Sequence, residues 1–239
     1  MTPKRDKHVL SARLCDRARR YEDMVSHVNA IVKLGGELSA DEQALFDSAY
    51  RKLVSHMRAS LRAITSIEQS GSWSQGRHAD GIREYRRRIE HERDAVCQDV
   101  LHVLHALLLP AAVTGIDKVF YYKMMGDYGR YMSESGSCGT PSSVIAAAQE
   151  AYKTATELAR IELESTHPLR LGVALNFSVF YYEVQGMPEH ACRLAQQAID
   201  DAVANIDTLT EQSFVESTRV MQLLQNNLTL WTSDGADGR

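Results

Sequence analysis

Glycine and proline fall in a few clusters along the chain, and this distribution constrains the fold more than any other feature. The clusters lie at 35–36, 71–81, 110–115, 136–141, 168, 186–188 and from 235 onward. The segments between them run for roughly 16 to 35 residues with few helix breakers, whereas a typical strand has about 3–10 residues. The spacing therefore predicts a chain built from helices.

The segment 189–207 shows a helical period in its side chains. Polar residues occupy one face, and apolar residues recur three and four positions apart on the other: Ala191, Leu194, Ala195, Ala198, Ile199, Ala202 and Ile206. The strand-prone runs VFYY and FSVFYY lie inside long segments of the same kind, so we expect packing to override their local propensity.

The expected helix starts agree with these breaks. Ser39 offers an N-cap with Glu42 three residues later, just after a glycine pair, and Pro188 opens another helix. The sequence predicts about eight or nine antiparallel helices joined by short loops. Since no linker and no repeat of fixed period is found, we expect one all-α domain over 1–234 and a short flexible tail over 235–239.

Charge and cysteine usage exclude several classes of partner. The formal net charge of −4 argues against nucleic acid, because duplex binding rests on a basic surface. We recognise no signal sequence and no run approaching the roughly 18 apolar residues of a membrane span. The scattered cysteines predict free thiols in a reducing, cytoplasmic compartment and no zinc site: Cys15, Cys97, Cys138 and Cys192.

Four segments carry pairs of residues spaced seven apart, which keeps both side chains within about 20° of one helix face. Two pairs are cationic and two are mixed: Arg51 with Arg58, Lys123 with Arg130, Asn176 with Glu183, and Val220 with Asn227. Facing one another, they would form a groove with a basic wall and an apolar wall that includes Val179, Leu223 and Trp231. The alternative is that the cations lie on solvated faces and that Leu223, Leu228 and Trp231 belong to the core.

Two amides favour the groove. Asn176 lies in the apolar run LGVALNFSVF, and Asn227 lies in NNLTLW. Such an amide must find hydrogen-bond partners if it is buried, or meet a ligand if it is exposed.

Six stretches, in order along nearly the whole chain, are similar to the 14-3-3 family. They are RYEDM (20–24), GELSADEQALFDSAYRKLV (36–54), SIEQ (66–69), KVFYYKMMGDYGRY (118–131), THPLRLGVALNFSVFYYE (166–183) and STRVMQLLQNNLTLWTSD (217–234). The resemblance implies nine antiparallel helices in a cup-shaped, mostly dimeric subunit. It also implies binding of phosphoserine or phosphothreonine segments of client proteins, with no cofactor, no metal and no catalysis.

By this resemblance Arg51, Arg58, Arg130 and Tyr131 bind the phosphate, with Arg51 where a lysine is usual. The chemistry fits, because a phosphorylated side chain carries a charge of about −1.5 to −2 and arginine binds its oxygens bidentately. Asp127 orients the nearby cations, or else forms an ordinary salt bridge along its helix.

The resemblance also assigns the peptide groove. Its members are the backbone-binding amides Asn176 and Asn227, the groove residues Lys123, Glu183 and Trp231, and the apolar wall of Val179, Val220 and Leu223. Four positions depart from the family: Met57 and Met125 replace Arg and Lys, Gly129 replaces Tyr, and Arg219 replaces a leucine of the wall. We expect Arg219 to narrow the groove or to favour acidic or polar ligand residues, and Gly129 to lower helix stability beside Arg130.

A dimer face near the N-terminus is implied as well. Charged residues pair across it and apolar residues fill it: Arg20 with Glu92, Asp23 with Arg88, and Leu14, Ala18 and Tyr85. The chain pairs with itself or with a related chain. The alternative for the basic run 85–88 is a solvated surface or a weak nucleic-acid patch.

Two other classes of function are open. His102 and His105 are spaced like metal ligands, but their apolar setting favours structural histidines, and no catalytic fingerprint is found. A helical scaffold for unmodified peptides explains the segment lengths, but it explains neither the two amides nor the paired basic stripes.

Overall fold

The computed structural model describes residues 3–70, 78–134, 141–205 and 211–237, except the side chains of 211–213 and 234–237. Its helices are α1 (Pro3–Arg17), α2 (Tyr21–Lys33), α3 (Ala40–Gln69), α4 (Ala79–Val103), α5 (Gly115–Ser133), α6 (Ser142–Glu162), α7 (Pro168–Glu183), α8 (Pro188–Val203) and α9 (Glu211–Asp237). α4 continues through a π-helical turn, Leu104–Leu108, and a last helical turn, Leu109–Ala111. Because no strand occurs in these described ranges, the prediction of an all-α chain with about nine helices is confirmed.

Contacts divide the chain into two compact units, Met1–Ala112 and Val113–Arg239, called here the N-terminal and C-terminal units. α1 to α4 belong to the first unit and α5 to α9 to the second. The single domain over 1–234 stays a prediction. α9 ends at Asp237, inside the segment predicted to be a flexible tail; that flexibility also stays a prediction, and residues 238–239 lie outside the described residues.

In the N-terminal unit, successive helices pack against one another, α1 on α2, α2 on α3 and α3 on α4. The buried apolar side chains include Met24, Val28, Phe46, Leu53 and Val100. Each such burial contributes about 1.5–3 kcal/mol. Gly35 and Gly36 form the turn between α2 and α3 with φ of 78° and 81°, a conformation that glycine adopts without strain.

The start of α3 is the predicted capping box. Ser39 Oγ accepts the backbone N–H of Glu42 at 3.3 Å, and the carboxylate of Glu42 accepts the backbone N–H of Ser39 at 2.9 Å. This buried carboxylate also binds Arg5 of α1, whose Nε lies 2.6 Å from Oε1 and whose Nη2 lies 3.0 Å from Oε2. One acidic side chain therefore begins α3 and joins it to α1.

In the C-terminal unit, two glycines allow α5 and α6 to approach closely. A Cβ atom at Gly126 would lie 2.6 Å from the ring of Tyr152, and one at Gly129 would lie 2.6 Å from Cβ of Ala148. Carbon atoms normally pack at about 3.5–4.0 Å. Neither position accepts a side chain unless its neighbour moves.

α7 contacts α5, α6, α8 and α9, and its strand-prone run is helical as predicted. Phe177 and Phe180 are buried, with ring centroids 5.2 and 5.6 Å from that of Tyr152 on α6. Packing thus decides the conformation against local propensity. The apolar face of α8 is confirmed by the burial of Ala191, Ala195, Ile199 and Ala202, whereas Ile206 lies outside the described residues.

The structure also bears on predictions about the cysteines, membrane spans and two histidines. Cys15, Cys97 and Cys192 are free thiols, and Cys138 lies outside the described residues. None of the described helices has the combined length and apolarity that crossing a membrane requires. The expectation that His102 and His105 pack as structural histidines is wrong: both are exposed, because it is the intervening Val103 and Leu104 that the helix buries.

Candidate functional site

Arg130 is the most deeply buried cation of α5. It is only 7% exposed, and its guanidinium carbon lies 4.7 Å from the ring centroid of Tyr131. Its Nη1 lies 3.4 Å from Glu134 Oε1 and 3.5 Å from Glu183 Oε2. Its Nε is buried and has no hydrogen-bond partner among the described residues. The guanidinium therefore retains donor capacity on the helix face that was predicted to carry Lys123 as well.

The surroundings of Arg130 keep it charged. Burial lowers the pKa of its guanidinium, but Tyr152, Asp127 and Tyr131 nearby raise that pKa above the ordinary value overall. A buried cation whose hydrogen-bonded carboxylates, Glu134 and Glu183, lie as far away as 3.4 and 3.5 Å favours an anion that can approach it more closely. This is the electrostatic character that a phosphate site needs.

Asp127 connects three helices through its buried carboxylate. Lys123 Nζ, one turn earlier on α5, lies 2.7 Å from Oδ2, while Tyr152 of α6 and Asn176 of α7 donate to Oδ1 at 2.6 and 2.7 Å. Asp127 therefore forms the predicted salt bridge along its helix and also orients groups from two other helices. Burial and then Asp127 raise the pKa of the Tyr152 phenol well above its ordinary value, so it donates as a neutral hydroxyl.

Tyr152 was not found by reading the sequence. It lies in AYKTATELAR, where a tyrosine interrupts the small residues of a helix face, and that interruption is the available signal. Asn176, by contrast, was singled out as an amide that needs partners. Its Nδ2 has found one in Asp127, and the amide also carries an acceptor oxygen, Oδ1.

The apolar side chains of α9 divide between core and surface. Leu224 and Leu228 are buried, whereas Leu223 is 46% exposed and Val220 is partly buried. Trp231 is only 6% exposed, because its ring stacks on Tyr182 of α7 at 4.7 Å between centroids. Leu228 and Trp231 thus belong to the core, which is the alternative that the sequence left open for them. Leu223 instead presents apolar surface to solvent.

The remaining groove residues of the C-terminal unit are accessible to different degrees. Asn227 and Val179 are partly exposed, and Arg219 and Glu183 are exposed. Their roles in binding a peptide stay predictions.

In the N-terminal unit, α3 carries the other two predicted phosphate ligands. The side chain of Arg51 is 55% exposed, and its Nε lies 3.1 Å from Asp47 Oδ2 one turn earlier. Arg58 is partly exposed. The four predicted phosphate ligands come two from each unit, and their joint binding of one phosphate stays a prediction.

Comparison with known proteins identifies the family of this chain. The family model described as "14-3-3 protein" matches residues 11–232. The chain belongs to the 14-3-3 family. Its members are adaptor proteins and not enzymes, so the predicted family, the adaptor role and the absence of catalysis are confirmed at this level.

Relatives from fungi and animals cover almost the whole 14-3-3 chain described here. Protein BMH2 of Saccharomyces cerevisiae is 50% identical over 236 residues, which are 98% of this chain and 86% of the relative. Checkpoint signal transducer rad25 of Schizosaccharomyces pombe is 47% identical, with 98% and 87% coverage. The 14-3-3 protein beta/alpha-A of Xenopus laevis is 47% identical, with 95% and 92% coverage.

The departures from the 14-3-3 pattern have different structural settings. Gly129 lies against Ala148, so it has a packing role beside Arg130 in addition to its expected cost in helix propensity. Met57 and Met125 are partly buried on α3 and α5. Arg219 is an exposed cation on the same helix as Leu223, and its effect on ligand preference stays a prediction.

The predicted 14-3-3 dimer face is exposed in the single chain. Leu14 and Tyr85 are 57% and 55% exposed, and Leu10, which the sequence interpretation did not include, is 60% exposed. The predicted charged residues pair along their own chain, Arg20 with Asp23 and Arg88 Nε with Glu92 Oε1 at 3.0 Å. Ala18 is exposed as well. The face itself stays a prediction.

Proposed function

We propose that this protein is a phosphoserine- and phosphothreonine-dependent adaptor that clamps or masks phosphorylated segments of client proteins. The observation that carries this proposal is the state of Arg130, a buried, charged guanidinium with an unused Nε donor. Family membership supports it, because an adaptor role belongs to the family.

The present partners of Arg130 leave room for a stronger one. Its distances to Glu134 and Glu183, 3.4 and 3.5 Å, exceed the roughly 2.7–2.9 Å of a good charge-assisted hydrogen bond. A phosphate bound at normal distance outcompetes such contacts. We assign Arg51, Arg58 and the hydroxyl of Tyr131 to the same phosphate, and each charge-assisted bond contributes about 1.5–3 kcal/mol.

The peptide on either side of the phosphate is bound by amides and apolar surface. Asn176 uses Nδ2 on Asp127, which leaves Oδ1 as an acceptor for a ligand backbone N–H. Asn227 has the same role on α9, and exposed Leu223 supplies apolar contact. Lys123 and Glu183 are the remaining polar contacts.

We further propose that the protein works as a homodimer or a heterodimer with a related chain in the cytoplasm. Leu10 and Leu14, one turn apart on α1, support this because they are large apolar side chains exposed side by side, and such surface marks interaction sites; Tyr85 of α4 is exposed as well. Two grooves in one dimer bind two phosphosites of one client, and the second site then binds at a high effective concentration.

The decisive experiment is capture from a degenerate phosphopeptide library, followed by titration of a selected peptide in phosphorylated and unmodified form. We expect strong binding of the phosphorylated form only. Arg58→Glu replaces an attractive charge by a repulsive one, so its affinity should fall about a hundredfold or more while its circular dichroism is unchanged.

Lys153→Glu is the matched control, since it reverses an exposed charge on α6 that has no assigned role and should leave affinity unchanged. Equal affinity for both peptide forms would favour a scaffold for unmodified peptides. Undiminished capture by Arg58→Glu would overturn the assigned phosphate site.

A further inference from the structure

A second concave site lies within the C-terminal unit, between α6, α7 and α8. The cavity has a volume of about 320 Å³. Small-molecule sites are typically about 300–1,000 Å³, so this one fits a small ligand and not a folded partner. Its lining shares no residue with the groove assigned above.

The floor of the cavity is apolar. Ala159, Leu171 and Val173 line it and are each 1% exposed. Leu194 and Ala198 of α8 also line the cavity and are partly buried. Apolar ligand surface placed here gains about 25 cal/mol per Å² removed from water.

The lining also includes cations. Arg160 of α6, Arg170 of α7 and Arg193 of α8 all line the cavity, together with His190. Within the described part of the chain, none of these three arginines forms an ion pair with a carboxylate. Three helices thus bring guanidinium groups to one apolar cavity.

Two of these arginines have identifiable positions. Arg170 Nη1 donates to the carbonyl oxygen of Leu163 at 2.9 Å, which orients the guanidinium and leaves its other N–H groups available. Arg193 Nη2 lies 3.5 Å from His190 Nδ1. The Arg170 guanidinium, which its hydrogen bond orients, therefore loses less entropy when it binds an anion.

One carboxylate opposes the three arginines. Asp201 lines the cavity, and its Oδ1 accepts a hydrogen bond from Gln197 Nε2 at 2.7 Å. The arginine and aspartate side chains of the lining therefore bring three positive charges against one negative charge at neutral pH. An anionic group is favoured, and a cationic one is excluded.

We infer that this cavity binds a small organic anion, with an apolar body on the floor and a phosphate or carboxylate at the arginines. The ligand class follows from the apolar floor and the arginines together. The floor alone would accept any apolar molecule, and the arginines alone would accept any anion. Because the lining residues differ from those of the phosphopeptide groove, each site can be tested without altering the other.

Octyl phosphate is the probe, and isothermal titration calorimetry with the full chain is the measurement. We expect saturable binding at one site per chain, with no comparable binding of octanol. The double variant Arg170→Gln/Arg193→Gln should bind about tenfold more weakly or worse. Ala198→Phe fills the cavity without changing its charge and should abolish binding.

Lys153→Gln on α6 is the control and should bind octyl phosphate like the unaltered chain. The titrations are repeated in the Arg58→Glu background, so that the result does not depend on the proposed phosphopeptide site. The inference is overturned if octyl phosphate does not bind, if octanol binds equally well, or if binding is lost in Arg58→Glu. It is also overturned if the arginine and Ala198 variants bind normally.

Discussion

Asn176 donates a hydrogen bond from Nδ2 to Oδ1 of Asp127 at 2.7 Å, and this bond fixes an amide of α7 to α5. The same oxygen accepts the Tyr152 hydroxyl, and Oδ2 of this carboxylate holds Lys123 at 2.7 Å. The amide that we assign to the ligand backbone is thus oriented by a residue that need not touch the ligand.

Asp127→Asn tests this orientation. The substitution removes the negative charge that holds Lys123 and replaces one acceptor oxygen by a donor, so the amide of Asn176 loses its fixed position. We expect phosphopeptide affinity to fall about tenfold and the free energy of unfolding to fall by about 1–3 kcal/mol. Calorimetric titration and chemical denaturation measure the two effects.

Tyr152→Phe separates orientation from stability, because it removes one hydrogen bond to Asp127 but leaves those to Lys123 and Asn176. We expect it to lower stability while affinity changes less than in Asp127→Asn. Lys153→Gln, at an exposed residue of α6 without an assigned role, is a surface control. Equal losses of affinity in all three variants would contradict the orienting role.

Local signals in the sequence predicted the helices well, because they report local physics. The glycine pair before Ser39 and its capping partner Glu42 fix the start of α3 from a few adjacent residues. The amide Asn176 was identified as needing a partner for a similar reason, since an apolar run cannot satisfy it.

Contacts between helices could not be read in this way. Nothing near Asp127 in the sequence indicates that Tyr152 and Asn176 bind it, because they lie on other helices. Likewise, the one-residue difference that buries Leu224 and exposes Leu223 depends on the rotation of α9 against its neighbours. The helical period of the sequence predicts which face of a helix is apolar, but packing against neighbouring helices decides which residue lies at the centre of that face.

Gly129→Ala should destabilise the protein even though alanine is the better helix former. Helix propensity favours the substitution by up to about 1 kcal/mol. The added methyl group, however, would lie 2.6 Å from Cβ of Ala148, and overpacking costs about 1–3 kcal/mol. We expect a lower midpoint of chemical denaturation than in the unaltered protein.

Gly81→Ala provides the comparison, since its added Cβ meets no atom within 4 Å and its helix should gain stability. The double variant Gly129→Ala/Ala148→Gly should recover part of the loss by making space. A stabilising Gly129→Ala would show that α5 and α6 are not in close contact.

The Arg5–Glu42 pair makes stability depend on pH. Burial raises the pKa of Glu42, but the stronger combined effect of its bonds to Arg5 and Ser39 lowers that pKa below the ordinary value of 4.5. The folded state then binds fewer protons than the unfolded state. The stabilisation is present above pH 4.5 and is lost as the pH falls through the folded pKa.

Glu42→Gln should therefore lower the free energy of unfolding by about 1–3 kcal/mol at neutral pH and less in acid. Urea denaturation at a series of pH values measures this convergence. Glu37→Gln, at an exposed residue nearby in the chain, should run parallel to the unaltered protein. A constant difference between Glu42→Gln and the unaltered protein at every pH would contradict the assigned pKa.

The proposed dimer is testable through a charge exchange between Asp23 and Arg88. Within one chain Asp23 pairs with exposed Arg20, and such a surface pair contributes only about 0–1 kcal/mol, so its loss leaves the fold intact. Asp23→Arg places like charges together in the dimer, and we expect dimerisation to weaken at least about tenfold. Sedimentation equilibrium measures the dissociation constant.

A double variant that restores opposite charges tests the contact more directly. Asp23→Arg/Arg88→Asp returns opposite charges to the predicted pair, and we expect it to recover most of the lost affinity between chains. Asp80→Arg is the control. It removes the exposed salt bridge between Asp80 and Arg83, which lies outside the predicted dimer face, and should leave dimerisation unchanged. A second charge reversal would not rescue a monomer that is merely destabilised. Recovery of dimerisation in the double variant therefore identifies a contact between Asp23 and Arg88 across the dimer. If dimerisation does not recover, these two residues do not face each other in the dimer.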